Sequence, residues 1–337
     1  MKKLRLGIIG AGRIGKVHAT SISQRIDQAE VIALADPDLK EAEELSAKLG
    51  IPTVSADPLD IIHHKEVEAV VICSPTDTHT QYIEAAADQK KHIFCEKPID
   101  LDLSRIRKVL DIVDAAGIKM MIGFNRRFDP NFARIREHVA AGNIGTPHIL
   151  KITSRDPGPP PAEYIKSSGG LFLDMAIHDF DMARFIVQDE VGEVYSKGAV
   201  RIDEEIGKLG DVDTAVSILK FKHGAMAVID NSRKAVYGYD QRLEIFGSKG
   251  MARIDNNLPD SHEFFDGHGS HKSLPLHFFM ERYTESYYLE MVEFVKAIIR
   301  REPLSVSGQD GMLSVAIGLA ARRSVAENRP VKMNEIL

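Results

Sequence analysis

Short apolar segments alternate with segments of helical periodicity through the first 125 residues. Five runs predict strands, and each of the first four is followed by apolar residues at helical spacing. The third run is almost entirely apolar, as expected for a strand buried on both faces. The predicted strands are 4–10, 30–36, 67–75, 91–98 and 118–125, and the predicted helices are 16–27, 37–49, 79–89 and 103–116. This alternating order predicts an α/β domain with a doubly wound parallel sheet of the Rossmann type.

The pattern changes near residue 147. Apolar and polar residues alternate over 148–156, which indicates a half-buried strand, and consecutive prolines predict a rigid loop at 157–164. Helical spacing resumes over 169–187. Further strands are predicted at 193–202, 214–221, 224–231, 241–246 and 251–254, an irregular segment without assigned role at 256–283, and helices at 285–300 and 309–327. Short turns indicate an antiparallel meander. We therefore expect an α+β domain whose open, mainly antiparallel sheet is flanked by helices on one face and free on the other.

Composition agrees with two domains, which we place at 1–125 and 126–337. The 337 residues are 44% hydrophobic and 27% charged, which is ordinary for a globular protein. The net charge of −6 argues against nucleic acid or an anionic membrane as a partner. No run approaches the roughly 18 apolar residues that span a bilayer. Cys73 and Cys95 lie in apolar strands, which predicts buried free thiols and a cytoplasmic protein.

The segment GAGRIG at residues 10–15 is the most informative local motif. It follows a strand, opens a helix, and is accompanied by Asp36 at the end of the second strand, as in the dinucleotide-binding fingerprint. Gly10 permits the tight turn, Gly12 admits a pyrophosphate to the helix N-terminus, and Gly15 allows close packing. The carboxylate of Asp36 would accept hydrogen bonds from the adenine ribose and repel a 2′-phosphate. The motif therefore predicts NAD rather than NADP.

Two more loops leave the carboxyl ends of predicted strands, where ligands bind in such sheets. SPTDTH, residues 74–79, has a proline and a threonine suited to a turn beneath the cofactor. Its His79 is either part of that loop or a surface residue that starts a helix. In CEKP, residues 95–98, Lys97 is either a crevice residue or a solvated loop lysine.

Asp174 and His178 are separated by four residues, which places them on one face of a regular helix. A zinc site would need more histidines or cysteines, and the sequence contains neither HExxH nor CxxC, so we expect no metal. The pair could be a satisfied helix histidine beside an acid. It could also be a catalytic pair in which Asp174 orients or charges His178 as a general base. The spacing alone does not decide between these two.

Several separated motifs together resemble the glucose–fructose oxidoreductase, inositol dehydrogenase and rhizopine-catabolism family across the whole chain. They are GAGRIG, ALADPD, SPTDTH, CEKP, the RRFD of residues 126–129 and GGLFLDMAIHDFD. Within the family, SRDPGPPPAEY of residues 154–164 and the HDFDMARF helix are most similar to inositol 2-dehydrogenases.

The resemblance implies roles for particular residues. Lys97 would hydrogen-bond the reacting hydroxyl, His178 would be the general base, and Asp174 would lie beside it. The residues implied in binding NAD are Gly10, Gly12, Arg13, Ile14, Gly15, Asp36, Ser74, Pro75, Thr76, His79, Glu96 and Lys97. Those implied in binding substrate are Lys97, Arg127, Asp156, Asp174, His178, Tyr237 and Tyr239. An alternating strand explains the presence of Asp156 equally well. Packing on one strand face is the alternative explanation for the two tyrosines.

The resemblance also implies an activity. We expect NAD-dependent oxidation of one ring hydroxyl of a cyclic polyol, foremost myo-inositol to its 2-keto product. The alternatives are a scyllo-inositol or pyranose dehydrogenase and a non-catalytic NAD-sensing regulator, which should lack the catalytic trio present here. Both the family and the open sheet suggest a homo-oligomer, foremost a tetramer.

Overall fold

A computed structural model describes residues 3–337 and separates them into two compact units. The first unit contains the described residues up to Phe128 together with Glu285–Val315, and the second contains Asp129–Thr284 and Ala316–Leu337. This division differs from a single boundary after residue 125, because the chain returns to the first unit after residue 284.

The first unit is built on a six-stranded sheet in which every neighbouring pair is parallel. The strands follow the spatial order β3-β2-β1-β4-β5-β6, which is the doubly wound dinucleotide-binding topology. Its strands are β1 Leu4–Ile9, β2 Ala29–Ala35, β3 Thr53–Ser55, β4 Ala69–Ile72, β5 His92–Glu96 and β6 Met120–Gly123. Its helices are α1 Arg13–Arg25, α2 Leu39–Leu49, α3 Pro58–His63, α4 Thr76–Asp88 and α5 Leu103–Ala116. The α/β prediction is confirmed.

Local sequence signals explain where several of these helices begin and end. Asp38, Asp57 and Asp102 each cap a helix by accepting a hydrogen bond from a backbone N–H of its first turn. Gly50 and Gly117 end α2 and α5 in the left-handed conformation, which glycine adopts without strain. Sequence analysis missed β3 and α3.

The rest of the chain forms a second sheet with helices, although its Glu285–Val315 segment belongs to the first unit. Its elements are α6 Pro130–Ala140, β7 Pro147–Arg155, α7 Ala162–Ser168, α8 Ile177–Val187, β8 Val191–Ala199, α9 Glu204–Lys208, β9 Thr214–Phe221, β10 Met226–Ser232, β11 Asp240–Gly247, β12 Gly250–Ile254, β13 Glu263–Asp266, β14 Gly269–Lys272, α10 Phe279–Arg282, α11 Thr284–Arg300, α12 Gly308–Glu327 and β15 Val331–Lys332. The seven-stranded sheet has the order β12-β11-β7-β10-β9-β8-β15. The expected open, mainly antiparallel sheet with helices is confirmed.

The expected simple meander needs one correction. β8, β9 and β10 are consecutive antiparallel neighbours, but β10 then pairs in parallel with β7, and β11 joins on the other side of β7. One face is buried, with α8 packed against β7. The other face exposes apolar side chains, which we call the apolar sheet face: Val216, Ile218, Met226, Val228, Phe246 and Met251.

Three segments of the second half differ from the secondary structure that the sequence predicts. The proline-rich loop ends earlier than predicted, because α7 begins at Ala162. The segment 256–283 contains the exposed hairpin β13–β14 and the short helix α10. Finally, 169–187 is not one regular helix: a π-helical turn, Leu171–Met175, precedes α8.

No helix within residues 3–337 is both long and apolar enough to cross a lipid bilayer.

Candidate active site

The glycine loop after β1 has the geometry that a dinucleotide pyrophosphate requires. Gly10 has φ +101°, and a β-carbon there would lie 2.8 Å from the backbone carbonyl of Cys73, while one on Gly15 would overlap the carbonyl of Gly10. Gly12 precedes α1, receives no side-chain cap, and has no atom within 4 Å of a β-carbon position. There is therefore room beside Gly12 for a pyrophosphate at the first turn of α1, which includes Arg13 and Ile14.

Asp36, at the end of β2, also organises this loop. One carboxylate oxygen accepts a hydrogen bond from the backbone N–H of Ala11 at 2.6 Å, and the other accepts from Asp38 at 2.8 Å. A carboxylate offers about four lone-pair positions, so acceptor capacity is left for a ribose hydroxyl. These residues fit an NAD dinucleotide.

The loop between β4 and α4 is tied to the loop after β5 by His79. Its ring is 1% exposed, with Nδ1 2.8 Å from the carbonyl oxygen of Pro98 and Nε2 2.8 Å from that of Ser74. The ring is therefore neither a surface residue nor open to solvent. Burial lowers its pKa and outweighs the two carbonyls, which favour the charged ring. Ser74 Oγ also lies 2.7 Å from Thr78 Oγ1, while Pro75 and Thr76 begin α4.

Glu96 and Lys97 follow at the carboxyl end of β5, and both are half-buried. Glu96 Oε1 lies 2.7 Å from His18 Nε2. Because neighbouring parallel strands end at the same edge, the sheet brings together the glycine loop, Asp36, the 74–79 loop and the Glu96–Lys97 turn. Both cysteines are free thiols, as expected, and Cys95 is buried whereas Cys73 is only partly buried.

In the second unit, Asp174 belongs to the π-helical turn and His178 to the first turn of α8. Both side chains are partly exposed, whereas nearly all of their neighbours from Leu171 to Val187 are buried. Gly169 and Gly170 have positive φ values and start this segment. The simple helical geometry expected from four-residue spacing therefore does not apply to Asp174 and His178.

Arg233, which sequence analysis did not single out, links two of the predicted site residues. Its side chain is 3% exposed, and its Nη1 lies 3.0 Å from Asp174 Oδ2 and 3.6 Å from Asp156 Oδ2. Tyr164 donates a hydrogen bond to Asp174 Oδ1 at 2.9 Å. Burial alone would lower the pKa of Arg233, but the charges of Asp174 and Asp156 raise it. The parallel pairing of β7 with β10 brings Asp156 and Arg233 to the same edge, and an antiparallel meander could not predict this.

Tyr237 and Tyr239 lie in the turn before β11, so the expectation that they share a strand face is wrong. Tyr237 donates to Asp240 Oδ2 at 2.7 Å and accepts from Arg155 Nη1 at 3.1 Å. Tyr239 is 5% exposed and packs edge-on against Tyr283, with ring centroids 6.0 Å apart. Tyr237 is thus the more accessible of the two tyrosines.

Arg127 lies in a short 3₁₀ helix, Asn125–Phe128, after β6. Its guanidinium pairs with Asp310 at 3.0 Å and donates to the carbonyl oxygen of Ser305 at 3.1 Å. Ser307 donates two hydrogen bonds to the same carboxyl group, through its backbone N–H and its hydroxyl. Although burial opposes ionisation, the charge of Arg127 and the bonds from Ser307 lower the pKa of Asp310 to about 2.

Comparisons with known proteins agree with this architecture. Residues 4–124 match the model of an oxidoreductase family with an NAD-binding Rossmann fold, and 132–253 match the GFO/IDH/MocA C-terminal domain. The chain is 49% identical to a myo-inositol 2-dehydrogenase of Thermotoga maritima, over 99% of this chain and 100% of the relative. It is 47% identical to an inositol 2-dehydrogenase of Rhizobium meliloti, over 98% and 99%.

A solved structure of a related enzyme has a similar fold over the whole chain. The scyllo-inositol dehydrogenase of Lactobacillus casei, crystallised with NAD(H) and scyllo-inositol, has a TM-score of 0.93 at 31% identity, covering 99% of this chain and 100% of that one.

Proposed function

The chain belongs to the GFO/IDH/MocA family of NAD-binding oxidoreductases, and we propose that it oxidises myo-inositol to the 2-keto inositol. The observation that carries the proposal is the full-length similarity to proteins named inositol 2-dehydrogenases. Lys97, Asp174 and His178 stand in this chain at the positions where the family resemblance puts its catalytic groups.

Oxidation of a secondary alcohol removes a proton from oxygen and a hydride from carbon. NAD, when bound, supplies the hydride acceptor. We assign to Lys97 the stabilisation of the developing alkoxide and to His178 the removal of the hydroxyl proton, a task suited to histidine near neutral pH. Asp174, held by Arg233 and Tyr164, provides a carboxylate of fixed direction.

A polyol also has to be oriented, which requires further polar side chains. We assign Arg127, Asp156, Tyr237 and Tyr239 to this task, with Tyr239 acting through packing because it is almost fully buried. Fixed polar partners discriminate best between polyol isomers with six hydroxyl groups. The reason is that a wrong isomer leaves a buried polar group unpaired, which costs more binding free energy than the loss of a contact.

A scyllo-inositol dehydrogenase is the second candidate, supported by the Lactobacillus casei structure. The myo isomer is favoured because the relatives named for inositol or myo-inositol are considerably more similar to this chain. A non-catalytic sensor is disfavoured because all three catalytic candidates are present.

The apolar sheet face supports a further part of the proposal, a homo-oligomer. Six exposed apolar side chains on one open sheet form the kind of surface that a second copy covers. We propose that the second unit provides this subunit contact and all of the polyol-binding residues except Lys97 and Arg127, and that the assembly is a tetramer.

The test is NADH formation from myo-inositol, scyllo-inositol, D-chiro-inositol and glucose, each with NAD and with NADP. We expect NAD-linked turnover that is highest with myo-inositol. Lys97→Ala should reduce kcat at least a hundredfold while NAD still binds, whereas Lys65→Ala, at an exposed lysine, should match the wild type. Turnover by Lys97→Ala within a fewfold of wild type would remove Lys97 from the catalytic residues.

A further inference from the structure

Three ionisable side chains converge behind the end of β5, and the chemistry proposed above does not use two of them. His18 comes from α1, Glu96 from β5 and Glu290 from α11, all in the first unit. His18 and Glu290 are 0% exposed, and Glu96 is 13% exposed. His18 Nε2 lies 2.7 Å from Glu96 Oε1 and 3.9 Å from Glu290 Oε1.

Glu290 is the unusual member of this group. Neither of its carboxyl oxygens has a hydrogen-bond partner within residues 3–337. Burial, and secondarily the charge of Glu96, raises the pKa of Glu290 well above its usual range. A buried, unpaired carboxylate is costly, so Glu290 keeps its proton, and Glu96 is the carboxyl group that bonds to His18.

A metal ion is the alternative occupant, because the three ligand atoms lie within 4.8 Å of one another. Ligands about 2 Å from a tetrahedral zinc are roughly 3.3 Å apart. The 2.7 Å between His18 Nε2 and Glu96 Oε1 is instead a hydrogen-bond length. The ring of His18 is also fixed edge-on by Phe94 and Tyr287, at centroid distances of 5.0 and 5.8 Å. The geometry is therefore that of a packed hydrogen bond.

The neighbouring strand leaves space for the same carboxylate. Gly123 of β6 is the register partner of Glu96, and a β-carbon on it would lie 2.9 Å from Glu96 Oε2. Glu96 immediately precedes Lys97, and on the other side His79 holds the carbonyl of Pro98. The backbone is thus held at the residue before and at the residue after Lys97.

We propose that His18 is a positioning residue that anchors the carboxylate of Glu96, with the buried carboxyl group of Glu290 beside the pair, and so fixes the turn that carries Lys97. This inference rests on the proposed function, since its consequence for turnover depends on the role of Lys97. Anchoring itself is a property of the chain without nucleotide, and it can be measured separately.

The test compares His18→Gln with His18→Asn. Glutamine places its amide N–H close to the Nε2 position, whereas the asparagine amide is one methylene short and cannot reach Glu96. We expect hydrogen exchange of the backbone amides of residues 95–97 and 99, in the protein without nucleotide, to accelerate at least tenfold in the asparagine variant and to stay within threefold of wild type in the glutamine variant. The kcat should follow the same pattern, with the polyol KM within twofold. Equal behaviour of the two variants would overturn the proposal.

Two further measurements separate the possible failures. If Lys97→Ala remains active but His18→Asn still loosens residues 95–99, the role of Lys97 fails and the anchor stands. If Lys97→Ala is inactive and hydrogen exchange of residues 95–99 is unchanged in His18→Asn, only the anchor fails.

The melting temperature of Glu290→Gln should exceed that of the wild type by a margin that grows as the pH rises from 5 to 9, because only the wild type must ionise a buried carboxyl group. A constant difference, or a fall in wild-type Tm on adding a chelator, would overturn the assigned protonation.

Discussion

Replacing Asp310 with asparagine tests the buried ion pair between Asp310 and Arg127 in the first unit, and with it the role of Arg127. The two side chains are 20% and 8% exposed and lie 3.0 Å apart, so solvent screens the pair only modestly. The pKa of Asp310 falls from 3.8 to about 2. At ~1.36 kcal/mol per pKa unit, this corresponds to about 2 kcal/mol of stability at neutral pH.

The pH dependence has a definite sign. Because the pKa of folded Asp310 lies below its unfolded value, the stabilisation is present above pH 3.8 and is lost as the pH falls through 2. By this linkage, roughly half of the stabilisation from Asp310 remains at pH 3. Asparagine retains an oxygen that can accept from Ser307 but has no charge for Arg127, so mainly the ion pair is removed.

Thermal melting and urea unfolding at pH 7, 4 and 3 measure this effect. We expect Asp310→Asn to lower Tm by about 5–10 °C at pH 7 if the first unit melts cooperatively, with a smaller difference at pH 3. Glu84→Gln is the control, because it breaks the exposed Glu84–Lys108 pair, which has a similar 2.9 Å separation, and should change little. A Tm within 1 °C of wild type at pH 7 would refute the energetic reasoning. The variant should also raise the polyol KM severalfold, and an unchanged KM would remove Arg127 from the substrate residues.

Three further predictions concern the cofactor, the acidic network that Asp156 and Asp174 form around Arg233, and the assembly. Asp36→Ser should raise the NAD KM about tenfold and relax the preference for NAD over NADP, and unchanged selectivity in kcat/KM would show that the ribose is recognised elsewhere. Arg233→Met should lower kcat at least tenfold and lower Tm, because it leaves two carboxylates without their buried cation. Arg233→Lys should retain more of the activity and of the thermal stability. A kcat within twofold of wild type in the methionine variant would contradict the assigned role. Val228→Asp places a charge on the apolar sheet face and should reduce the sedimentation coefficient, and an unchanged assembly at micromolar concentration would place the subunit contact elsewhere.

The sequence predicted the first sheet well because its strands are buried on both faces and appear as continuous apolar runs. It failed at β3 and α3 for a physical reason. The three residues of β3 are all only half-buried, and the six residues of α3 are too few to display a helical period. The hairpin β13–β14 was missed similarly, because both of its strands are exposed and show no alternation.

The second unit limited prediction of the candidate site. Neighbouring antiparallel strands can be inferred from short turns, but the parallel pairing of β7 with β10 joins segments about 70 residues apart, for which the sequence contains no local signal. That pairing brings Arg233 to Asp156, so the central cation of the acidic network was invisible beforehand. The glycine loop and Asp36 were predictable because the dinucleotide fingerprint is local in sequence.

The surroundings of Asp174 distinguish between the two roles considered for it. An aspartate that charges a histidine acts through a carboxylate whose negative charge is not already balanced. Asp174 instead faces the buried guanidinium of Arg233 at 3.0 Å and accepts a hydrogen bond from Tyr164 at its other oxygen. Its charge is therefore partly compensated by a guanidinium that it shares with Asp156, while its orientation is fixed at both oxygens. This arrangement favours a carboxylate that directs a hydrogen bond over one that shifts the basicity of His178. Asp174→Asn, which keeps one acceptor oxygen, should then retain more kcat than Asp174→Ala, and the pH profile of kcat should keep its acidic limb within about half a unit. A large shift of that limb in the asparagine variant would restore the charging role.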